Sequence, residues 1–255
     1  MAELENKKEI KQRKLKDFSE GNKTTQTIIT VCSIIGGFLI WHLIASIPSV
    51  HTFLSTPWEV VLAGVAEAKA GGRYWKDISV SLQRVGVGFG IAFICAIPIA
   101  FLMGWFKSIP PIALIPLVVL AMGLSEKSKY TIIFITSFLV MVVTISQGIK
   151  EVDLTLVKAA YTFGAKDFNL FCDIMIPASF PFILVAARLG ISTALTTLIA
   201  AEMTGTIYGL GARIQGAQQF MNQSIVLLGI CTIGIIGFIL DRVLLWLEKK
   251  LTGWK

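Results

Sequence analysis

Four ionisable side chains lie within or at the ends of long apolar stretches of this sequence: Arg84, Arg188, Glu202 and Asp241. A charge buried in hydrocarbon is costly, so such residues usually serve a function or pair with one another. Arg84 lies near the end of its stretch and can reach the interface. Asp241 can pair with its neighbour Arg242. These residues are the first candidates for chemistry in an otherwise apolar chain.

Arg188 is followed along its predicted helix by four hydroxyl side chains, at Ser192, Thr193, Thr196 and Thr197. A guanidinium with nearby hydroxyl donors suits a small oxyanion, because charge-assisted hydrogen bonds are strong. Alternatively, Arg188 reaches the inner membrane interface and the hydroxyls donate to carbonyls of their own helix. The first alternative is the hypothesis that Arg188, Ser192, Thr196 and Glu202 line a translocation path.

The motifs that would indicate an enzyme or a metal site are absent from the sequence. It contains neither the GxxxxGK(S/T) motif that cradles nucleotide phosphates nor the HExxH zinc motif. The four cysteines show no CxxC spacing. The two histidines, His42 and His51, lie near the predicted outer end of the first apolar stretch. We therefore predict no catalytic residue, no metal and no cofactor.

Composition is typical of a polytopic membrane protein. Of the 255 residues, 55% are hydrophobic and 15% are charged, and the mean hydropathy is +0.74. A soluble domain contains about 45–50% apolar residues. The formal net charge of +7 comes from short loops and tails, so we do not expect nucleic acid as a partner.

Apolar stretches long enough to cross the bilayer recur along the chain. About 20 apolar residues span roughly 30 Å of hydrocarbon. Stretches of this length occur at 25–47, 85–106, 130–149, 181–203 and 224–247. A shorter stretch at 109–123 contains Pro110, Pro111 and Pro116, which indicates a short, broken span or a re-entrant segment. We predict an all-α fold of about six transmembrane helices, the third of which is short.

Basic residues determine the expected orientation, because they concentrate in cytoplasmic segments. With six spans, the basic tail at 1–24, the loop at 149–180 and the C-terminal end all lie in the cytoplasm. With five spans, the loop and the C-terminal end would lie outside. We therefore expect a cytoplasmic tail at 1–24, next to anionic lipid. One membrane domain at 25–255 would follow, with both termini cytoplasmic.

The segment at about 150–180, between the fourth and fifth spans, predicts two short amphipathic helices. The apolar positions of the first helix are Val152, Leu156, Ala160 and Phe163. Those of the second helix are Phe168, Phe171, Cys172 and Met175. We expect Gly164 to end the first helix, Pro177 to end the second and Pro181 to begin the next span. Such a segment either rests on lipid headgroups or fits a partner protein.

This segment resembles the cytoplasmic coupling loop of ABC importer permeases, known as the EAA motif. Glu is usual at the first position of that motif, but here Lys158 stands there and reverses the charge. Any salt bridge between that position and an ATPase would change accordingly. The resemblance implies that the ATPase contacts a set of six residues: Lys158, Ala159, Ala160, Gly164, Ala165 and Pro177.

Further short motifs extend the resemblance from about residue 55 to the C-terminal end. They are Ser55-Thr56-Pro57, Ser81-Leu82-Gln83-Arg84-Val85, Gly104, the proline-rich run 109–117, Ala201-Glu202-Met203, Gly209-Leu210-Gly211 and Leu240-Asp241-Arg242. In this order they are similar to the nitrate/sulfonate/taurine/bicarbonate branch of these permeases. More residues usually separate the Gly104 region from the proline-rich run in that branch, so either the third span is shortened in this protein or the sequence lacks a piece of it.

The resemblance implies a permease subunit of an ATP-driven ABC importer in the cell inner membrane. An external binding protein would deliver a small anionic solute, and two copies of a separate ATPase subunit would hydrolyse ATP. No internal repeat is visible, so a second permease chain must complete the path, either a homodimer partner or a paralogue. A self-sufficient secondary transporter or channel is the alternative, and it would need coupling-ion ligands near the middle of the membrane. A membrane scaffold without its own path is a further alternative.

Overall fold

All regular structure is helical in the computed structural model, which describes residues 23–102, 115–152, 154–163 and 175–251. The helices in these ranges are α1 Lys23–Ala45, α2 Pro48–His51, α3 Pro57–Lys69, α4 Arg73–Leu102, α5 Ile115–Met122, α6 Glu126–Lys150, α7 Leu154–Thr162, α8 Ile176–Met203, α9 Leu210–Gln219 and α10 Gln223–Leu251. The predicted all-α fold is confirmed.

Five of the described helices are long and apolar enough to cross a membrane, namely α1, α4, α6, α8 and α10. The short helix α5 lies where the sequence predicts a short third span. Together these helices agree with the prediction of about six transmembrane helices. Pro110 and Pro111 lie outside the described residues, as do most of the predicted tail and the helix predicted around Phe168–Cys172.

Two helices begin earlier than the sequence predicts. Helix α4 begins at Arg73, so Arg84 lies well inside a helix rather than at its start. Helix α8 begins at Ile176, with Pro177 in its first turn and Pro181 inside the helix. The prediction that Pro181 begins this span was therefore wrong, because the helix begins five residues earlier. A proline in the first turn is compatible with a helix start, because the N–H that it lacks has no partner within the helix there.

The chain divides into two compact units, Met1–Val60 and Val61–Lys255. Within the first unit, Thr56 and Glu59 form a capping box at the start of α3. Glu59 Oε2 accepts a hydrogen bond from Thr56 N–H at 2.9 Å, and Thr56 Oγ1 accepts one from Glu59 N–H at 3.4 Å. The bond from the Thr56 backbone, helped by His51 at 3.0 Å, holds the pKa of Glu59 below its ordinary value.

The second unit is built around α8, which packs against α4, α6, α9 and α10. Small residues of α4, at Ala92, Ala96 and Ala100, lie in the core against α6 and α8. Gly148 of α6 touches Phe182 of α8 so closely that an added Cβ would lie 2.3 Å from the Phe182 Cβ. Small side chains thus bring these helix backbones close together, as is typical of membrane helix bundles.

Candidate transport site

Helix α8 is mostly buried, but one narrow stripe of its surface is exposed. The exposed residues beyond its first turn are Val185, Leu189, Ser192 and Thr196. Their spacing of four, three and four residues places them on one helix face. We call this face the α8 stripe. Two of the residues that the sequence predicts for a path, Ser192 and Thr196, lie on it.

Arg188 lies beside the α8 stripe and is paired with α10. Its Nε donates to Asp241 Oδ1 at 2.9 Å, and Glu248 Oε2 lies 3.9 Å from Nη1. The sequence suggested that Asp241 pairs with its neighbour Arg242. In the structure it pairs instead with Arg188 of another helix. The Arg242 guanidinium instead lies 4.8 Å from the centre of the Phe238 ring. Arg188 is therefore an anchor between two spans in this conformation.

Three of the four hydroxyls that follow Arg188 donate to carbonyls of their own helix. Thr196 Oγ1 bonds to Ser192 O at 2.9 Å. Thr193 and Thr197 make the same bond to the carbonyls four residues earlier. A hydroxyl that donates to its own helix in this way can still accept hydrogen bonds through its lone pairs. It can also break the bond to the carbonyl and donate to a ligand instead.

Arg84 lies at the centre of a buried polar cluster, which we call the Arg84 cluster. Only 2% of the Arg84 side chain is exposed. Its Nε and Nη2 donate to the two oxygens of Glu126 at 2.8 and 2.6 Å. Its Nη1 donates to Glu202 Oε1 at 2.7 Å and to Tyr208 O at 2.9 Å. The expectation that Arg84 reaches the interface was wrong, because two carboxylates hold it inside the protein.

Glu202 is the fully buried carboxylate of the Arg84 cluster, with 0% of its side chain exposed. Besides Arg84, it accepts hydrogen bonds from Ser81 Oγ at 2.8 and 2.9 Å and from Gly211 N–H at 2.8 Å. Its charge is thus compensated and both of its oxygens are hydrogen-bonded. This is the condition under which a buried ion pair is tolerated.

The first turn of α9 is held by side chains of α4 and α8. The N–H groups of Gly209 and Leu210 donate to Asp77 Oδ1 at 3.0 Å and to Ser81 Oγ at 2.9 Å. Gly211 donates to Glu202, so three successive amides at a helix start find partners outside their own helix. Gly209 has φ +134°, and an added Cβ would lie 2.5 Å from the Glu202 carboxylate. No larger residue fits there without moving that carboxylate.

Several polar residues were not chosen as site residues from the sequence, namely Ser81, Glu126 and Lys129 of the Arg84 cluster and the neighbouring pair Asp77 and Arg213. One signal was available for part of this set. Positions 77, 81 and 84 follow the i, i+4, i+7 spacing of a single helix face. The partners on α6 and α8 lie 42 and 118 residues from Arg84, so local spacing could not reveal them.

The predicted coupling segment is described in part. Helix α7, at Leu154–Thr162, lies where the first short helix was predicted. Lys158 and Ala159 are exposed, whereas Ala160 is buried. Apolar side chains are also exposed on or next to α7, at Leu156, Tyr161 and Phe163. Pro177 is exposed in the first turn of α8, and Gly164 and Ala165 lie outside the described residues.

Bundled apolar helices with a buried polar cluster at one end and a short exposed helix between two spans are the architecture of a polytopic membrane protein. The chain belongs to the family described as binding-protein-dependent transport system inner membrane component, whose model matches residues 85–253. Members of this family are permease subunits of ABC transporters and are not themselves enzymes. The resemblance seen in the sequence is confirmed.

Curated relatives agree with this assignment. A probable ABC transporter permease protein of Brucella abortus (strain 2308) is 39% identical over 235 residues, which cover 87% of this chain and 92% of the relative. The taurine transport system permease protein TauC of Escherichia coli (strain K12) is 28% identical over 248 residues, 90% of each chain. The bicarbonate transport system permease protein CmpB of Synechocystis sp. (strain ATCC 27184 / PCC 6803 / Kazusa) is 27% identical over 244 residues, 86% of each chain. The predicted branch is therefore confirmed, and the chain is a multi-pass membrane protein of this family.

Proposed function

We propose that this chain is the permease subunit of an ATP-driven importer for a small anionic solute delivered by an external binding protein. The observation that carries the proposal is the α8 stripe, an exposed line with two hydroxyls on the most buried membrane helix. Two copies of the chain that face each other through this stripe enclose a path between them. A homodimer is the simplest such assembly, because closed two-fold symmetry is common in oligomers.

Within this proposal, Ser192 and Thr196 line the path with hydroxyls that can bind an oxyanion in passing. Arg188 lies at the side of the path, where release from Asp241 gives a cation to the solute. Glu202 contributes from within the Arg84 cluster by holding the far end of α8. The class of solute follows from the relatives named for taurine and bicarbonate, both of which carry an anionic oxygen group.

The coupling segment, at about 150–180, serves in this proposal as the contact with two ATPase subunits. Lys158 presents its charge and Ala159 presents its backbone to the ATPase. The buried Ala160 holds α7 against the rest of the permease. Gly164, Ala165 and Pro177 form the remainder of that contact. ATP binding closes the ATPase pair and moves these segments, because ATP has a higher affinity for the closed pair. The segment, the basic tail at 1–24 and both termini of the chain then lie on the cytoplasmic side of the inner membrane, and 25–255 forms the transport domain.

A charge at Phe163 is expected to prevent ATPase binding. The Phe163 side chain is 89% exposed next to α7 and has the character of an interface anchor. We expect the Phe163→Asp variant to fold and insert normally but to lose the ATPase subunits during purification. Phe220→Asp is the matched control, since Phe220 is 85% exposed after α9. ATPase retention by the Phe163→Asp variant equal to that of the control would contradict the proposed coupling contact.

The direct test of the proposed function is uptake into liposomes that contain the permease with its ATPase subunits. Radiolabelled taurine, methanesulfonate and bicarbonate are supplied outside with the binding protein, and ATP is enclosed on the ATPase side. We expect uptake of at least one of these solutes that requires both ATP and the binding protein. Uptake that is equal without ATP would instead favour the secondary transporter. Absence of uptake in the complete system would refute the importer function for this class of solute.

A further inference from the structure

A cavity of about 450 Å³ lies beside the Arg84 cluster. Its polar wall is formed by Arg84, Glu126, Lys129 and Thr206, and apolar side chains such as Leu124 complete it. The two cations are almost wholly buried, since only 2% of Arg84 and 4% of Lys129 is exposed. Buried cations that line an open cavity form a site that attracts anions, because little water screens their charge.

Glu126 occupies the cationic face of this cavity in the structure. Its two oxygens receive Nε and Nη2 of Arg84, and Oε1 also accepts a bond from Lys129 Nζ at 2.9 Å. This is the forked, two-bond arrangement by which Arg recognises carboxylates. Sulfonate and bicarbonate groups present pairs of oxygens at similar spacing. The carboxylate of Glu126 therefore has the geometry that the anionic group of a solute would adopt.

The two carboxylates that Arg84 binds differ in how easily they can leave. Glu202 is fully buried and also holds Ser81 and Gly211. Glu126 is 55% exposed, and within the described residues its side chain bonds to Arg84 and Lys129. Its departure into water therefore costs little desolvation, whereas departure of Glu202 would leave a charge buried without a partner.

Two further groups at the cavity have hydrogen-bonding capacity for a ligand. Thr206 Oγ1 is buried and makes no hydrogen bond to any residue that the structure describes. Buried hydroxyls usually have a hydrogen-bond partner, so the Thr206 hydroxyl is available to a ligand in the cavity. Lys129 carries three N–H groups, and its side-chain bond within the described residues goes to Glu126. A bound anion could accept from both groups as well as from Arg84.

We propose that Arg84 and Lys129 form a binding site for the anionic group of the transported solute, and that Glu126 occupies this site when no solute is bound. The proposal rests on the proposed function for the identity of the solute. One anion replaces another in the exchange, so the charge of the cavity is unchanged. The competing Glu126 keeps the affinity low, which suits a site that must release its ligand.

Protection of a cysteine in the cavity tests this site directly. The Thr206→Cys substitution is made in a chain whose four native cysteines are replaced, and the permease with its ATPase subunits is placed in zwitterionic lipid nanodiscs. The rate of labelling by N-ethylmaleimide, an uncharged reagent, is measured against methanesulfonate concentration, with sodium chloride replaced to keep the ionic strength constant. Methanesulfonamide is the uncharged probe of the same shape. We expect methanesulfonate to slow labelling and methanesulfonamide to leave the rate unchanged.

Three substitutions test which residues determine the methanesulfonate concentration for half protection. Glu126→Gln should lower the methanesulfonate concentration for half protection about tenfold, because a charged competitor becomes a neutral one. Lys129→Gln should raise that concentration by a similar factor. Glu67→Gln is the matched control, since Glu67 pairs with Arg213 outside this cavity, and it should leave the value unchanged.

Two outcomes would overturn the proposed site. One is the absence of protection by methanesulfonate in both the Thr206→Cys background and its Glu126→Gln derivative. The other is an equal shift for Glu126→Gln and Glu67→Gln. Addition of anionic phosphatidylglycerol to the nanodiscs distinguishes a lipid headgroup, which would protect without methanesulfonate and so contradict a solute site. Uptake measured with the same complex separates the two proposals: uptake without protection refutes only the site, and protection without uptake refutes only the importer function.

Discussion

Replacement of Glu202 by alanine is expected to destabilise the folded permease by about 3–5 kcal/mol, the range for removal of one partner from a buried ion pair. Glu202 neutralises Arg84 and also accepts from Ser81 and from Gly211 at the start of α9. Each of these donors is buried, so none can turn to water when the carboxylate is removed. The effect is measured as the shift in unfolding free energy in denaturant, or as the loss of monodisperse protein after heating.

The matched control for Glu202→Ala is Glu67→Ala. Glu67 pairs with Arg213, and this pair is more exposed than that of Arg84 and Glu202, with 22% of the Glu67 side chain exposed against 0% of Glu202. We expect a loss of roughly 1 kcal/mol or less for this partly exposed pair. The loss of stability for Glu202→Gln should lie between those for Glu202→Ala and Glu67→Ala. The amide of Gln can still accept a hydrogen bond from Gly211, but it carries no charge. Equal losses for Glu202→Ala and Glu67→Ala would show that burial of the Arg84 cluster contributes nothing special to stability.

A tryptophan at Thr196 is expected to reduce ATP-dependent uptake to background while assembly remains normal. The Thr196 side chain is exposed on the α8 stripe, so a large ring can be accommodated without displacing the core. If two copies face each other through this stripe, both rings enter the path and fill it. Uptake is measured in liposomes, and assembly is measured as the yield of complex with ATPase subunits after purification.

Ile235→Trp on α10 provides the control for the Thr196 variant. Ile235 is also exposed on a membrane helix, but it belongs to α10 and not to the α8 stripe. We expect this variant to retain uptake, because an apolar ring is compatible with a lipid-facing surface. Normal uptake by Thr196→Trp would place the path elsewhere. A loss shared with Ile235→Trp would point to a general effect of bulky substitutions on the bundle.

The helical fold could be predicted from the sequence because its signals are local. Apolar length identified the regions of all five long helices, and the proline-rich run marked the region of α5. The start of α4 could not be placed in this way. Residues 73–84 include four charged side chains, and the two that are buried, Asp77 and Arg84, pair with residues of other helices. Tertiary pairing thus extended this helix beyond its apolar stretch.

The candidate site was predicted unevenly for the same physical reason. Ser192 and Thr196 were chosen as hydroxyls within an apolar run, and their common exposed face follows from helix periodicity alone. Arg188 was recognised as an unusual charge, but its partner Asp241 lies 53 residues away. Glu126 and Lys129 gave no distinct local signal, because charges before an apolar run are ordinary flanking residues. Contacts between distant segments are the information that local patterns omit.

The hydrogen bonds that hold the first turn of α9 to α4 and α8 have a mechanical consequence. Helix α8 has 28 residues, so it is a rod of about 42 Å from the coupling segment to the Arg84 cluster. A tilt of about 5° at its first turn displaces the far end of such a rod by nearly 4 Å, simply from its length. Because Gly211 is bonded to Glu202 of that far end, α9 is carried along with it. If the coupling segment contacts an ATPase as proposed, a small displacement there would move α9 by a distance comparable with the size of a small solute.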